Sequence, residues 1–139
     1  MISEKENKKY MEEAFKSARR ALEKGEIPVG AVVVEKGRVI GRGHNRQSEL
    51  SDPTAHAEIV ALRKAGVFKN NFRLDGAVLY STVKPCPMCA EAIKRARIKK
   101  VYYCSPAARE ATHSTEFEVS EVLGGKSADI LQEFFRQKR

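Results

Sequence analysis

Two short clusters carry the residues with the clearest chemical capacity: His56-Ala57-Glu58 and Pro85-Cys86-Pro87-Met88-Cys89. Cys86 and Cys89 stand three apart at the start of a predicted helix, which puts both sulfurs on one face. That start is the positive end of the helix, where unsatisfied N–H groups favour the thiolate. Two thiolates and one imidazole form a three-ligand set for tetrahedral zinc, with the fourth position open as in catalytic rather than structural sites. His56 is likewise expected to open its helix, and the two negative sulfurs offset the charge of the ion. Water on such an ion loses a proton at about pH 7. Glu58, two residues past the histidine, can reach that water without binding the metal. It can take the proton and deliver it to a ring nitrogen and then to a leaving amine.

The same residues admit other readings. A Cys-x-x-Cys pair also serves as a redox couple or as half of a structural zinc site. Pro and Met between the sulfurs, and His-x-Glu upstream, weigh against the redox couple. A structural site needs a fourth ligand, and Cys104, His44 and His113 lack a paired spacing. Cys104 ends an apolar strand and reads as a buried small hydrophobe.

The elements that must position these groups are readable as periodicities. Apolar residues recur at helical spacing over residues 7–24, where Gly25 stops the helix. Residues 29–34 and 38–41 flank a Gly turn and predict an antiparallel hairpin. The polar stretch 43–51 reads as loop. Asp52 as N-cap with Pro53 at the first position predicts a helix running to about Lys64 and ending near Gly66. A strand over 77–82, a helix from the cysteines to about Ala96 and a strand over 101–104 follow. Residues 105–115 read as loop, 117–123 as an edge strand and 126–137 as a last helix. Strands separated by helices of this length imply right-handed crossovers and a sheet covered on both faces. The hairpin makes that sheet mixed. The expected architecture is α/β, a three-layer α-β-α sandwich with a mixed central sheet of about five strands.

With 139 residues, 42% of them hydrophobic and 32% charged, the chain can bury one core, and residues 1–139 are expected to form a single domain. The composition excludes a disordered or collagen-like chain. No apolar run reaches the ~18 residues of a membrane span, and the first residues lack the apolar core of a signal peptide. Three cysteines are too few for a disulfide framework, so a cytoplasmic location is expected. The net charge of +8 is compatible with a polyanionic partner. Lys94, Arg95, Arg97, Lys99 and Lys100 form a basic cluster that serves either as a phosphate track or as a solvated face.

His-x-Glu followed by Pro-Cys-x-x-Cys is the signature of zinc-dependent base deaminases. The chain resembles the cytidine/deoxycytidylate deaminase superfamily from about Tyr10 to Cys104. Within it, Gly25-Glu-Ile-Pro-Val-Gly-Ala31 and Asp52-Pro-Thr-Ala-His-Ala-Glu58 are most similar to bacterial tRNA adenosine deaminases, which make inosine at the anticodon wobble position. Phe134-Phe135-Arg136 resembles their C-terminal helix. The resemblance implies one Zn2+ per chain held by His56, Cys86 and Cys89, with Glu58 as the proton shuttle. It further implies substrate contacts from Asn45, which orients the base or ribose, from the backbone N–H of Ala57, and from the carbonyl of Lys84, where the tRNA enzymes usually carry Glu. Water activated on zinc would attack C6 of adenine, Glu58 would protonate N1, and ammonia would leave. A homodimer or larger oligomer is implied as well. Pro85–Cys89 also resembles guanine deaminases, and Gly41-Arg-Gly-His-Asn45 resembles fungal cytosine deaminases. A small free-base or nucleoside substrate is therefore the alternative to tRNA. The non-enzymatic alternative is a zinc-stabilised RNA-binding subunit, against which Glu58 weighs.

Overall fold

A computed structural model describes residues 3–105 and 117–122. The first helix, α1, spans Glu4–Glu23, three residues earlier at its start than the apolar spacing predicts. The cause is a capping box: Ser3 Oγ accepts from the Glu6 N–H at 3.1 Å and the Ser3 N–H donates back to Glu6 Oε1 at 3.4 Å. Tyr10, Met11, Ala14, Phe15, Ala18, Ala21 and Leu22 form its buried stripe. The hairpin follows as β1 (Gly30–Glu35) and β2 (Arg38–His44), joined through Lys36 and Gly37, both at positive φ.

Residues 43–51 depart from the predicted loop. β2 continues to His44, and a one-turn helix, α2, occupies Gln47–Leu50. Asp52 and Pro53 do not start the next helix. The Asp52 carboxylate accepts from the Thr54 N–H at 2.8 Å and from Thr54 Oγ1 at 2.7 Å, closing a local turn. Helix α3 begins later, at Ala57, and runs to Lys69, past the predicted stop. A lone glycine inside a helix costs only ~1 kcal/mol, so Gly66 is absorbed. The left-handed terminus falls on Asn70 (φ 52°), with the Asn71 N–H bonded back to the Gly66 carbonyl at 3.0 Å.

The remaining elements are β3 (Val78–Val83), α4 (Pro87–Arg95), β4 (Lys100–Ser105) and β5 (Glu118–Glu121). All five strands share one sheet in the order β2-β1-β3-β4-β5. β1 is antiparallel to both β2 and β3, whereas β3, β4 and β5 are parallel. The sheet is mixed and five-stranded, as expected. β5 is shorter than predicted and lies at the edge. The predicted loop beyond Ser105 and the predicted last helix lie outside the described residues.

Side-chain alternation along β1 sorts the core into two layers. Ala31 and Val33 face α3 and α4, where they pack with Ala57, Ala61, Ala65, Ile93 and Val101. Val32 and Val34 face α1 and pack with Tyr10, Met11, Phe15, Tyr80 and Cys104. Helices thus cover both faces. Cys104 is fully buried, in keeping with a core role.

One packing detail decides how close α3 comes to the sheet. A Cβ on Gly43 would sit 2.2 Å from the Ala57 carbonyl oxygen and 2.5 Å from the Ala61 N. On Gly41 it would sit 2.4 Å from the Ala61 carbonyl oxygen. Both glycines are needed because the helix backbone lies directly on β2 with no side chain between them.

Candidate metal centre and active site

The site forms where β3 ends and where α3 and α4 begin, outside the carboxyl ends of parallel strands. His56 is the N-cap of α3 (φ −68°, ψ 155°) and Cys86 the N-cap of α4 (φ −73°, ψ 170°). Neither side chain makes a capping hydrogen bond to its own helix. They turn toward each other instead. Their carbonyls still start the ladders, accepting from Val60 at 3.0 Å and from Ala90 at 2.8 Å. Pro87 fits at the first helical position because no intrahelical partner exists for an N–H there.

His56 Nδ1 lies 3.6 Å from Cys86 Sγ and 3.5 Å from Cys89 Sγ. All three ligand atoms fall within 4.8 Å of one another. A tetrahedral zinc with Zn–N of about 2.05 Å and Zn–S of about 2.3 Å requires an N···S separation of about 3.6 Å. Both observed N···S separations match that requirement. Cys89 is buried and Cys86 half-buried, so the set opens on one side.

Glu58 stands in the first turn of α3 and is fully buried. Its Oε2 accepts from Ser81 Oγ at 3.4 Å, while Oε1 has no hydrogen-bond partner among the described residues. Glu58 is not a member of the three-residue ligand cluster. A buried carboxylate oxygen left open beside a metal-ligand set is what a proton carrier needs. Ser81 was not apparent from sequence. On β3 it faces α3, and its hydroxyl also accepts from the Val83 N–H at 3.4 Å. Only the register of β3 against α3 reveals it.

Asn45 follows β2 and is 1% exposed. Its N–H donates to the Val29 carbonyl at 3.1 Å, and its Oδ1 accepts from the Gln47 N–H at 3.1 Å. With that oxygen engaged in the turn, the side chain offers a ligand its NH2 end. Ala57 is buried as the first residue of α3, so its N–H has no intrahelical acceptor. Lys84 is half-buried, and its ammonium stands 5.9 Å over the Tyr103 ring. It is held to β4 and is not a member of the ligand cluster.

Two carboxylates face the five cations of the basic cluster. Lys94 and Arg95 pair with Glu91 at 3.5 and 3.0 Å, and Lys100 pairs with Glu118 at 2.8 Å. His113 and the tail cations lie outside the described residues.

The model of the cytidine and deoxycytidylate deaminase zinc-binding region matches residues 4–105, and the chain belongs to that family. It is accordingly a hydrolytic deaminase acting on a C–N bond. The tRNA-specific adenosine deaminase of Agrobacterium fabrum is 44% identical over 143 residues, a match covering 94% of each chain. That of Bacillus subtilis is 38% identical, covering 94% of this chain and 89% of its own. A solved structure from a study of A-to-I editing by tRNA:A34 deaminases at the wobble position shares 41% identity. It has a TM-score of 0.76 and covers 91% of this chain and 99% of that one. The guanine deaminase from Bacillus subtilis gives a TM-score of 0.68 at 40% identity, over 70% of this chain and 62% of its own.

Proposed function

We propose that this chain converts adenosine to inosine in tRNA, at the anticodon wobble position, through one zinc ion held by His56, Cys86 and Cys89. The observation that carries the chemistry is the 3.5–3.6 Å spacing of the imidazole nitrogen from the two sulfurs, beside the open Glu58 oxygen. The choice of substrate rests on near full-length similarity to tRNA-specific adenosine deaminases.

Bound at these ligands, zinc acts as a Lewis acid that acidifies water to a pKa of about 7. Glu58, its Oε2 steadied by Ser81, would hold at its open Oε1 the proton released by the attacking water. It hands the proton to N1 of the adenine and carries a second one to the departing amine, so that adenosine and water give inosine and ammonia. The Ala57 N–H at the helix start meets the base, and the NH2 end of Asn45 orients base or ribose. The carbonyl of Lys84 contributes a further contact. We place the enzyme in the cytoplasm, where such a substrate is met. No described helix is long and apolar enough to cross a membrane.

A second copy of the chain is the proposed partner in a homodimer. Val67 (82% exposed) on α3 and Phe72 (74% exposed) just past its end leave apolar side chains that association would cover.

The deciding experiment is ammonia release from an anticodon stem-loop RNA, free guanine, cytosine, adenine and the corresponding nucleosides, with zinc measured on the same sample. Turnover of the RNA, with KM rising steeply as salt increases, is the expected result. Turnover of guanine alone, with no salt dependence, would overturn the tRNA reading in favour of the small-substrate alternative.

A further inference from the structure

Glu26 is 4% exposed and takes part in no ion pair among the described residues. A buried carboxylate without a cation needs strong hydrogen-bond donors. It finds them 22 and 23 residues away: the Ser48 N–H donates to Oε1 at 3.1 Å, and the Glu49 N–H donates to Oε2 at 2.7 Å. Glu26 itself is anchored where α1 ends, its own N–H bonded to the Ala21 carbonyl at 2.9 Å.

What it grips is α2, a helix of four residues with none buried and no side-chain N-cap. A single turn cannot sustain itself in water, and this one has no apolar face to hold it down. Its other ties include the solvated Arg46–Glu49 and Lys24–Glu49 pairs at 2.9 and 3.7 Å, an exposed bond from Gln47 Nε2 to the Pro53 carbonyl at 3.1 Å, and backbone bonds at its two ends. Among the described residues, Glu26 is thus one of two buried side chains that accept from N–H groups of α2, and the one that ties the turn to the chain just past α1. Asn45 accepts from the Gln47 N–H at the head of that same turn.

We infer that Glu26 is a positioning residue for substrate binding: it fixes α2 and, through it, the NH2 end of Asn45. This rests on Asn45 contacting the base or ribose. Both carboxylate oxygens are used, so the amide of Glu26→Gln must oppose an NH2 group to one of two N–H donors. Glu26→Asp keeps the charge but, one methylene shorter, reaches only one of them.

The test is a double-mutant cycle on an anticodon stem-loop RNA, with zinc content and melting temperature recorded for every variant. Glu26→Gln should retain full zinc and lower kcat/KM about tenfold through KM, with kcat within about twofold. Asn45→Ala should do the same. The double variant should be no worse than Asn45→Ala alone, and Glu26→Asp should fall between wild type and Glu26→Gln. Multiplicative losses in the double variant would overturn the inference and leave Glu26 a merely structural residue. An unimpaired Asn45→Ala would instead remove the premise that Asn45 binds substrate, and the inference with it. Should Glu26→Gln not fold, the same cycle is run with Glu26→Asp.

Discussion

Glu58 is fully buried, yet only one of its two carboxylate oxygens has a hydrogen-bond partner among the described residues. An amide of the same shape keeps the packing and removes the ability to carry a proton. Glu58→Gln should keep zinc content and melting temperature while lowering turnover by at least ~10²-fold, the usual reach of general acid–base catalysis. A variant retaining a tenth of wild-type rate would refute the shuttle. His44 gives a second residue-scale prediction, on stability. Burial, helped by Lys24 and Arg46 and opposed by Glu49, holds its imidazole below the ordinary value of 6.5. The unfolded chain therefore binds the proton first as pH falls. The stability tied to neutral His44 is complete above pH 6.5 and drains away as pH drops through the lower folded value. Melting temperature should fall between about pH 7 and 5, and His44→Gln should fall less; equal slopes would exclude His44 as the source.

At the scale of elements, the contact of α3 with β2 sets the position of His56, Ala57 and Glu58 together. Gly43→Ala would push its methyl into the Ala57 carbonyl and lift the start of the helix. Overpacking of this kind costs about 1–3 kcal/mol, so the melting temperature should drop. The loss of activity and of zinc should exceed what the stability change accounts for, because the displaced turn carries three site residues. Gly66→Ala, whose methyl would meet only the Asn71 carbonyl oxygen at an ordinary 3.5 Å, controls for the bare effect of replacing a glycine. The elements themselves were largely readable beforehand. The stripe on α1, the hairpin and the cysteine helix each carry a period or turn signal that tertiary packing does not override. Asp52-Pro53 misled because an Asp side chain can close its own turn as readily as cap a helix. The true cap, His56, has no capping hydrogen bond to betray it. Likewise, α2 buries nothing and so leaves no apolar pattern. His56, Glu58, Cys86 and Cys89 stood out through their types and spacing, whereas Ser81 and Glu26 act across 23 and 22 residues of sequence and surface only when the fold pairs them.

For the whole molecule, the site joins parts of the chain that share no local contact: one helix start after β2, another after β3. An ion bridging them stabilises the folded state by mass action, by about 2.7 kcal/mol when free zinc stands a hundredfold above its Kd. Chelation should therefore lower the melting temperature, and added zinc should restore both stability and turnover. A melting temperature indifferent to chelator would show that the three ligands do not hold an ion. The net charge of +8 attracts a polyanion at long range.

His56 and Cys86, two of the three proposed zinc ligands, are also the residues from which helices begin. An ion held there would draw the first turns of α3 and α4 together, and Ala57 and Ala90 of those turns pack in the core. Residence time of a bound ion would then depend on how often a helix start opens as well as on the bonds at the metal. Off-rates measured with a chromophoric competitor should be slow, insensitive to competitor concentration, and accelerated by mild denaturant in step with local opening.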